Sequence, residues 1–519
     1  DTDVWTSVKA VSYNFRDHVV DEEGNTYYVG GLSGSLTLGN HTLTSTGGTD
    51  VLVAKRSKAG EWEWMKSGGT ANNDLGLAID LDSNGNVFVT GNLGGVSWPG
   101  WSAGFGGGAV TATAINGGGT FVAQIDSDGD WTWAVMNGNS GGGTSRGDQI
   151  VVDSNGDAYV SGICYYTCSF NTNDGNQLFS LTTGSNNGGG YIAKINSTGV
   201  WQWVQGASAD NSDSASVEHM VIDENDNIYF AGFGSGSFGS FSNSGAAGFI
   251  GNISTSGNYQ WILPINGNGN ARISDIVVDD EWVYVSGNMD PSVTLGSTTL
   301  TSYNFRDTFI SRVSKAGAFD WIEQIETAHG GLIYGMDLAT NGDLHIAHSF
   351  DNGWIRFGDS NFTSNGTAED IILMSMSSDG EWKTASQHGG NGVDVATEIF
   401  SSGTNTITIR GYTSGVIIFG DLSLSSAGPY FYATKSLQED DDDDNDGVPD
   451  LNDLCITGLN NWTSNSTTDW DDDGCHDLYE DDDDDNDGVL DVSDICSQTP
   501  LGKNVNSDGC ADDDLDGIV

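Results

Sequence analysis

Residues 469–480 read DWDDDGCHDLYE, six acids in twelve positions, with no Lys or Arg within twenty residues on either side. Asp469, Asp471 and Asp473 stand at positions 1, 3 and 5, Gly474 at 6, Asp477 at 9 and Glu480 at 12. Short carboxylates on alternate residues converge on one centre, glycine at position 6 permits a sharp turn, and position 7 offers its carbonyl. Every donor is a hard oxygen, so the ion that suits the loop is Ca2+; zinc would want His or Cys. The spacing recurs in Asp442, Asp444, Asp446, Gly447, Asp450 and Asp453, and again in Asp483, Asp485, Asp487, Gly488, Asp491 and Asp494. A weaker copy uses Asn504, Asn506, Asp508, Gly509 and Asp512, and a fifth begins with Asp512, Asp514, Asp516 and Gly517. A merely solvated acidic tail has no reason to repeat glycine at position 6. About four to five Ca2+ ions are therefore expected.

These loops sit in a distinct part of the chain. Residues 439–519 hold 28 acids and one Lys, a balance of −27, whereas residues 1–438 hold 45 acids and 16 Lys/Arg, a balance of −29 over five times the length. The boundary falls near Gln438. A total of −56 argues against nucleic acid or an anionic membrane as partner. No apolar run approaches the ~20 residues of a membrane span. The chain starts at Asp1 and stops inside the fifth loop, which reads as a processed mature chain whose native form continues.

The first 438 residues repeat. AIDLDSNGNVFVTGN (78–92) recurs as VVDSNGDAYVSGI (151–163) and VIDENDNIYFAGF (221–233), with looser copies at 19–31, 277–288, 336–348 and 399–411. Each copy reads as two alternating strands around a Gly-Asn or Gly-Asp turn. A second hairpin follows, as in VAKRSKAGEWEW (53–64), VAQIDSDGDWTW (122–133) and IAKINSTGVWQW (192–203). Four strands per unit and seven units predict an all-β chain, a seven-bladed β-propeller. The seventh unit lacks its fourth strand. DVWTSVKA (3–10) supplies it: Trp5 precedes Val20 by 15 residues, the interval from Trp64 to Ile79, so the N-terminal strand is expected to close the ring.

The copies resemble the seven-bladed propeller repeats of secreted bacterial and archaeal proteins, whose units read like D-x-x-G-N-x-Y-V-x-G. The C-terminal loops, with no helical flanks, resemble thrombospondin type 3 repeats, in which calcium and disulfides replace a hydrophobic core. That resemblance implies the pairings Cys455–Cys475 and Cys496–Cys510. Asn at two positions of the fourth loop and variation between Asp and Glu at position 12 depart from its pattern. Cys164 and Cys168, in CYYTC at a predicted hairpin bend, fit a local disulfide better than a metal site, since no His or third Cys is near in sequence. Six pairable cysteines imply an oxidising compartment, here the cell exterior or surface.

No G-x-S-x-G, H-E-x-x-H, P-loop or dinucleotide motif is present. The binding candidates lie on insertions between the second and third strands of units two and three, where Trp98, Trp101, Tyr165 and Tyr166 can stack on a glycan or enter a pocket of a cell-surface protein. The expectation is a non-enzymatic extracellular structural or adhesive protein, a propeller head on a calcium-rigidified stalk. Two alternatives stand beside it: a self-associating subunit of a filament or surface lattice, and a carbohydrate-active enzyme built on a propeller.

Overall fold

The computed structural model describes the chain except for residues 1–3, 12, 14, 22, 95–100, 115–118, 141–144, 173–176, 184–187, 209–214, 235, 243–246, 268–270, 305, 340, 366–367, 402–405, 426–429, 437–446, 449–453, 456–461, 472, 482, 501–502 and 512–519. Among the described residues every regular element is a strand, and no helix is long and apolar enough to cross a membrane. The chain forms two compact units, Asp3–Ser436 and Leu437–Val519.

The larger unit is a succession of small antiparallel sheets and fits a β-propeller. Among the described residues seven sheets have four or more strands, and each contains an array of four in simple up-and-down order. The first array runs Phe15–Val20, Thr26–Leu38, His41–Arg56 and Trp62–Gly69. The last combines Asp394–Ser401, Thr406–Thr413 and Tyr430–Ser436 with the N-terminal strand Val4–Val11, which pairs antiparallel with Tyr430–Ser436. In all seven arrays the first strand carries a bulge against the second, for example at Phe15/Asp17, Ile333/Gly335 and Ala396/Glu398. One extra residue per array, such as Tyr334, thus stands outside the ladder register.

No sheet buries both faces alone, so the core lies between consecutive arrays. One cluster joins Tyr27, Val29, Val51 and Val53 of the first array to Ile79, Val89, Phe121 and Ala123 of the second. Another joins Tyr284 and Ile310 of the fifth to Ile346, Ile372 and Met374 of the sixth.

The repeated aromatic-x-aromatic pair on the fourth strands divides its labour. The first ring packs within its own array: the side-chain atom nearest a Cβ built at Gly39 belongs to Trp62, at Gly358 to Trp382 and at Gly420 to Trp5. The second ring reaches into the next array. Trp133, Trp203, Trp261 and Trp321 donate their indole N–H to the carbonyls of Ser197, Thr255, Lys315 and Ser378 at 2.9–3.0 Å. The Trp5 strand corrects the spacing argument. Lys55 faces Trp64 and Arg56 faces Trp62 in the first array, whereas in the last Thr434 faces Ser7 and Lys435 faces Trp5. Trp5 is therefore the counterpart of Trp62, and Ser7 stands where Trp64 was expected.

The insertions are also more general than the two expected. A two-stranded extension separates the second and third strands in later arrays, at Ser292–Leu295/Thr298–Thr301, Trp354–Phe357/Ser360–Thr363 and Val416–Phe419/Leu422–Ser425. Several pair with the fourth strand of the preceding array, as Leu295 with Ile265 and Arg356 with Glu326, which lengthens that sheet to six strands. A sequence signal for them exists: LTLGNHTLTS (36–45), VTLGSTTLTS (293–302), IRFGDSNFTS (355–364) and IIFGDLSLSS (417–426) share one turn glycine between alternating apolar residues.

Candidate functional site

The smaller unit is built around its acids. Asp469, Asp471 and Asp473 each bring a carboxylate oxygen within 4.8 Å of the others, and so do Asp483, Asp485 and Asp487. Gly474 and Gly488, at position 6 of the two loops, have φ of +88° and +91°, which explains why no side chain occupies that position. Asp469 and Asp485 are almost wholly buried, at 1% and 2% exposure. Asp471 Oδ1, Asp483 Oδ1 and Asp487 Oδ2 are buried without a hydrogen-bond partner. Burial and the neighbouring carboxylates push Asp471 up to about 6. Three mutually close, partly orphaned carboxylates offer the hard oxygen donors that a divalent cation takes, and Asn486 Nδ2 donates to Asp471 and Asp473 beside them.

Position 9 acts on the loop backbone, as Asp469, Asp473, Asp483 and Asp487 also do by accepting from the Gly474, Cys475, Gly488 and Val489 N–H groups. Asp477 Oδ1 accepts from the Trp470 N–H and Asp491 Oδ1 from the Asp484 N–H, both at 3.0 Å, so these side chains brace the loop backbone. Asp477 also joins a third close group, with Asp481 and Asp484, two acids that the loop spacing alone did not single out. Glu480 is half-buried, and Asp494 Oδ1 accepts from the Cys496 N–H. In the weaker loop Asn506 Oδ1 accepts from the Asp508 and Cys510 N–H groups, while Asn504 and Asp508 are exposed. Asp442, Asp444, Asp446, Asp450, Asp453, Asp512, Asp514 and Asp516 lie outside the described residues. Disulfides join Cys455 to Cys475 and Cys496 to Cys510. Apolar burial contributes little here: Val492 is 92% and Ile495 76% exposed.

In the larger unit Cys164 is bonded to Cys168. Beside it Tyr166 is exposed with φ of +63°, and its carbonyl accepts from the Thr183 N–H at 2.8 Å; Tyr165 is half-buried. Trp98 and the side chain of Trp101 lie outside the described residues, so the expected aromatic cluster is described only through the two tyrosines.

A polar recess that sequence reasoning missed lies among the loops of the fifth and sixth arrays. Arg306, His329, Gly330, Gly331, Leu332, Asp351 and Glu369 line a cavity of about 140 Å³. Arg306 Nε is buried without a hydrogen-bond partner. Burial raises Glu369, and its hydrogen-bonded neighbour Asp351 raises it further. The bulge residue Tyr334 feels Glu369, Asp351 and Arg306, and burial pushes its hydroxyl up to about 12. Arg306, His329, Asp351 and Glu369 span 64 positions and obey no short motif, so only the fold brings them together.

No family model and no curated protein matches the chain. Solved structures that resemble it include virginiamycin B lyase from Staphylococcus aureus, at 11% identity over 70% of this chain and 95% of that one, with a TM-score of 0.36. An ulvan lyase of polysaccharide lyase family PL25 shares 9% identity over 76% and 88% with a TM-score of 0.39, and the polysaccharide lyase Uly1 shares 7% over 82% and 91%, also at 0.39. These neighbours are propeller-type proteins and enzymes. The expectation of a non-enzyme, which rested on the lack of a short catalytic motif, is corrected accordingly.

Proposed function

We propose that Asp3–Ser436 is a seven-bladed propeller closed by the strand Val4–Val11, and that it acts on a glycan at the recess of Arg306, His329, Asp351 and Glu369. The observation that carries this reading is the convergence of a cation, an imidazole and two hydrogen-bonded carboxyls around one cavity. Glu369 is the residue suited to hold a proton and deliver it, because burial and Asp351 both oppose its ionised form. The unpartnered Arg306 Nε is suited to an oxygen of the substrate, a uronate carboxylate above all. A small, hydrophilic opening suits a polyhydroxylated chain better than an apolar ligand.

The experiment is a screen of neutral and acidic polysaccharides for new reducing ends and for absorbance of unsaturated products. Turnover that Glu369→Gln reduces by about a hundredfold or more supports the assignment. A wild-type protein that neither binds nor cleaves any member of the panel overturns it.

For the smaller unit we propose a thrombospondin type 3-like segment ordered by calcium. The loops around Asp469, Asp471 and Asp473 and around Asp483, Asp485 and Asp487 hold ions, with Asp477, Asp481 and Asp484 as a further group. The ions supply the cross-links that a hydrophobic core supplies elsewhere. Three disulfides accord with an extracellular location.

A further inference from the structure

Two boundaries between arrays lack the indole of the others: the sixth array carries His345, Ser375 and Thr384 in the row that would supply it, and the boundary of the last array with the first is the second case. In the first array Tyr27, Lys55 and Trp64 stand in register across the sheet, and in the third Tyr159, Lys194 and Trp203 do so. The same row of the last array is Thr408, Thr434 and Ser7. Two large rings and a long stem are replaced by three short hydroxyl side chains.

The space they leave is not filled from the other side. In five arrays the turn glycine before the aromatic pair meets the indole of the preceding array: a Cβ built at Gly129, Gly199, Gly257, Gly317 or Gly380 would lie 2.7–3.2 Å from Trp64, Trp133, Trp203, Trp261 or Trp321. At Gly60 of the first array the nearest group is the guanidinium of Arg56 on the same turn. The core cluster at this boundary draws only Tyr432 from the last array. A cleft of about 420 Å³ results, large enough for more than a lone oxyanion.

Its lining has a distinct chemistry. Lys9, Arg56 and Lys58 border it with no carboxylate among the lining residues, in a chain with 73 acids and 17 Lys/Arg. Among the described residues none of these three cations forms an ion pair, whereas Lys55 on the same strand as Arg56 is paired with Glu63 at 3.2 Å. Arg56 Nε donates to the Gly60 carbonyl at 2.9 Å, which anchors the guanidinium on the cleft wall. Threonine hydroxyls and the Tyr28 and Tyr432 rings complete the walls. We propose that this seam is a second binding site, separate from the recess, for an anionic saccharide carrying sulfate or carboxylate groups. Cations fix the acidic groups and hydroxyls match the ring hydroxyls. The proposal does not rest on the recess being an active site.

The test is calorimetric titration of the full chain, in constant millimolar calcium, with a heparin tetrasaccharide, a tetragalacturonate and inorganic sulfate. One or both tetrasaccharides should bind, and added salt should weaken the binding. Preference between the two tells sulfate from carboxylate recognition. Lys58→Ala and Lys9→Ala should each weaken binding about tenfold. Ser7→Trp, which places at the seam the indole of the first five arrays, should abolish binding of the heparin tetrasaccharide; if that variant does not fold, the lysine variants decide alone. Glu369→Gln should bind as the wild type does. The proposal is overturned by a wild type that binds neither tetrasaccharide, by lysine variants that bind unchanged, by loss of binding in Glu369→Gln, or by inorganic sulfate binding as tightly as the sugars.

Discussion

Asp275, on the first strand of the fifth array, accepts a hydrogen bond through Oδ2 from the Met336 N–H of the sixth at 2.8 Å. Three other acids make the same reach into the next array: Asp17 to Ile79 at 3.0 Å, Asp80 to Val152 at 2.7 Å and Asp337 to Ser401 at 2.5 Å. Between the last array and the first, Glu398 meets the His18 Nδ1 at 2.7 Å and Arg410 at 2.6 Å. The first strands are thus clasped along the series by side chains.

These clasps give the larger unit a pH dependence. Burial pushes Asp17 up to about 6 and both Asp80 and Asp275 up to about 7 from the ordinary 3.8, outweighing their backbone hydrogen bonds. A folded-state value above the unfolded one means that the native state binds the extra proton, so stability falls as pH rises from about 4 to about 7. Burial pushes His219 down to about 4 and His348 and His388 to about 3, which opposes this trend below about 6.5, so the acids govern it above that value: the larger unit should melt higher at pH 6.5 than at pH 8, followed by tryptophan fluorescence in excess calcium. Asp80→Asn and Asp275→Asn, which keep an acceptor oxygen, should each flatten the slope, by on the order of 1 kcal/mol per group across that interval. A pH-independent melting temperature in the wild type contradicts this account.

The indole clamps should be costly to disturb. A Cβ at Gly317 would lie 2.7 Å from the Trp261 ring, and φ there is +82°. Gly317→Ala should lose about 2 kcal/mol in urea unfolding, since both the clash and the backbone region oppose a methyl group. Gly342→Ala is the control: its φ of +81° is similar but nothing lies within 4 Å, so it should lose less. Equal losses would assign the whole effect to the backbone.

Trp5 ties the N-terminal strand to the last array. Its ring packs against His388 at 4.9 Å and Phe419 at 4.5 Å. Trp5→Ala should cost about 3 kcal/mol, and deletion of residues 1–10 should also bare the edge of Tyr430–Ser436, with aggregation as the visible result. An unchanged melting temperature for the deletion would show that the strand is dispensable.

Calcium removal should act on the smaller unit alone. With the ions chelated, the close carboxylates repel one another and little apolar burial remains to hold the backbone, so limited proteolysis should cut within residues 437–519 first, and faster after disulfide reduction. Asp471→Asn and Asp485→Asn should each lower the number of ions bound in equilibrium dialysis. A tail equally resistant with and without calcium contradicts the assignment.

The sequence carried most of what is local. Hairpins announce themselves through turn glycines and alternation, and the loop acids through strict spacing, because each is decided within about a dozen residues. What it hid is decided between arrays. A count of residues makes Trp5 the counterpart of Trp64; the bulge there is common to both arrays, so the error lies in the connection to the next strand, whose length differs and which a fixed interval takes as constant. The recess escaped because Arg306 and Glu369 lie on different loops. The clasping acids escaped because Asp275 and Asp80 look, in sequence, like ordinary solvated residues of a half-exposed strand.

The indole of one array and the glycine it covers make a head-to-tail contact, the kind that joins identical subunits in a filament. Within this chain, such joints would propagate as each array docks on the one before. Two joints are exceptions, since Thr384 of the sixth array and Ser7 of the last stand where the other arrays carry an indole. The joint between last and first is held instead by the Glu398–His18 contact at 2.7 Å and by Arg410, which donates to the Arg16 carbonyl. Its hold therefore rests on polar contact, where five of the other joints use an indole.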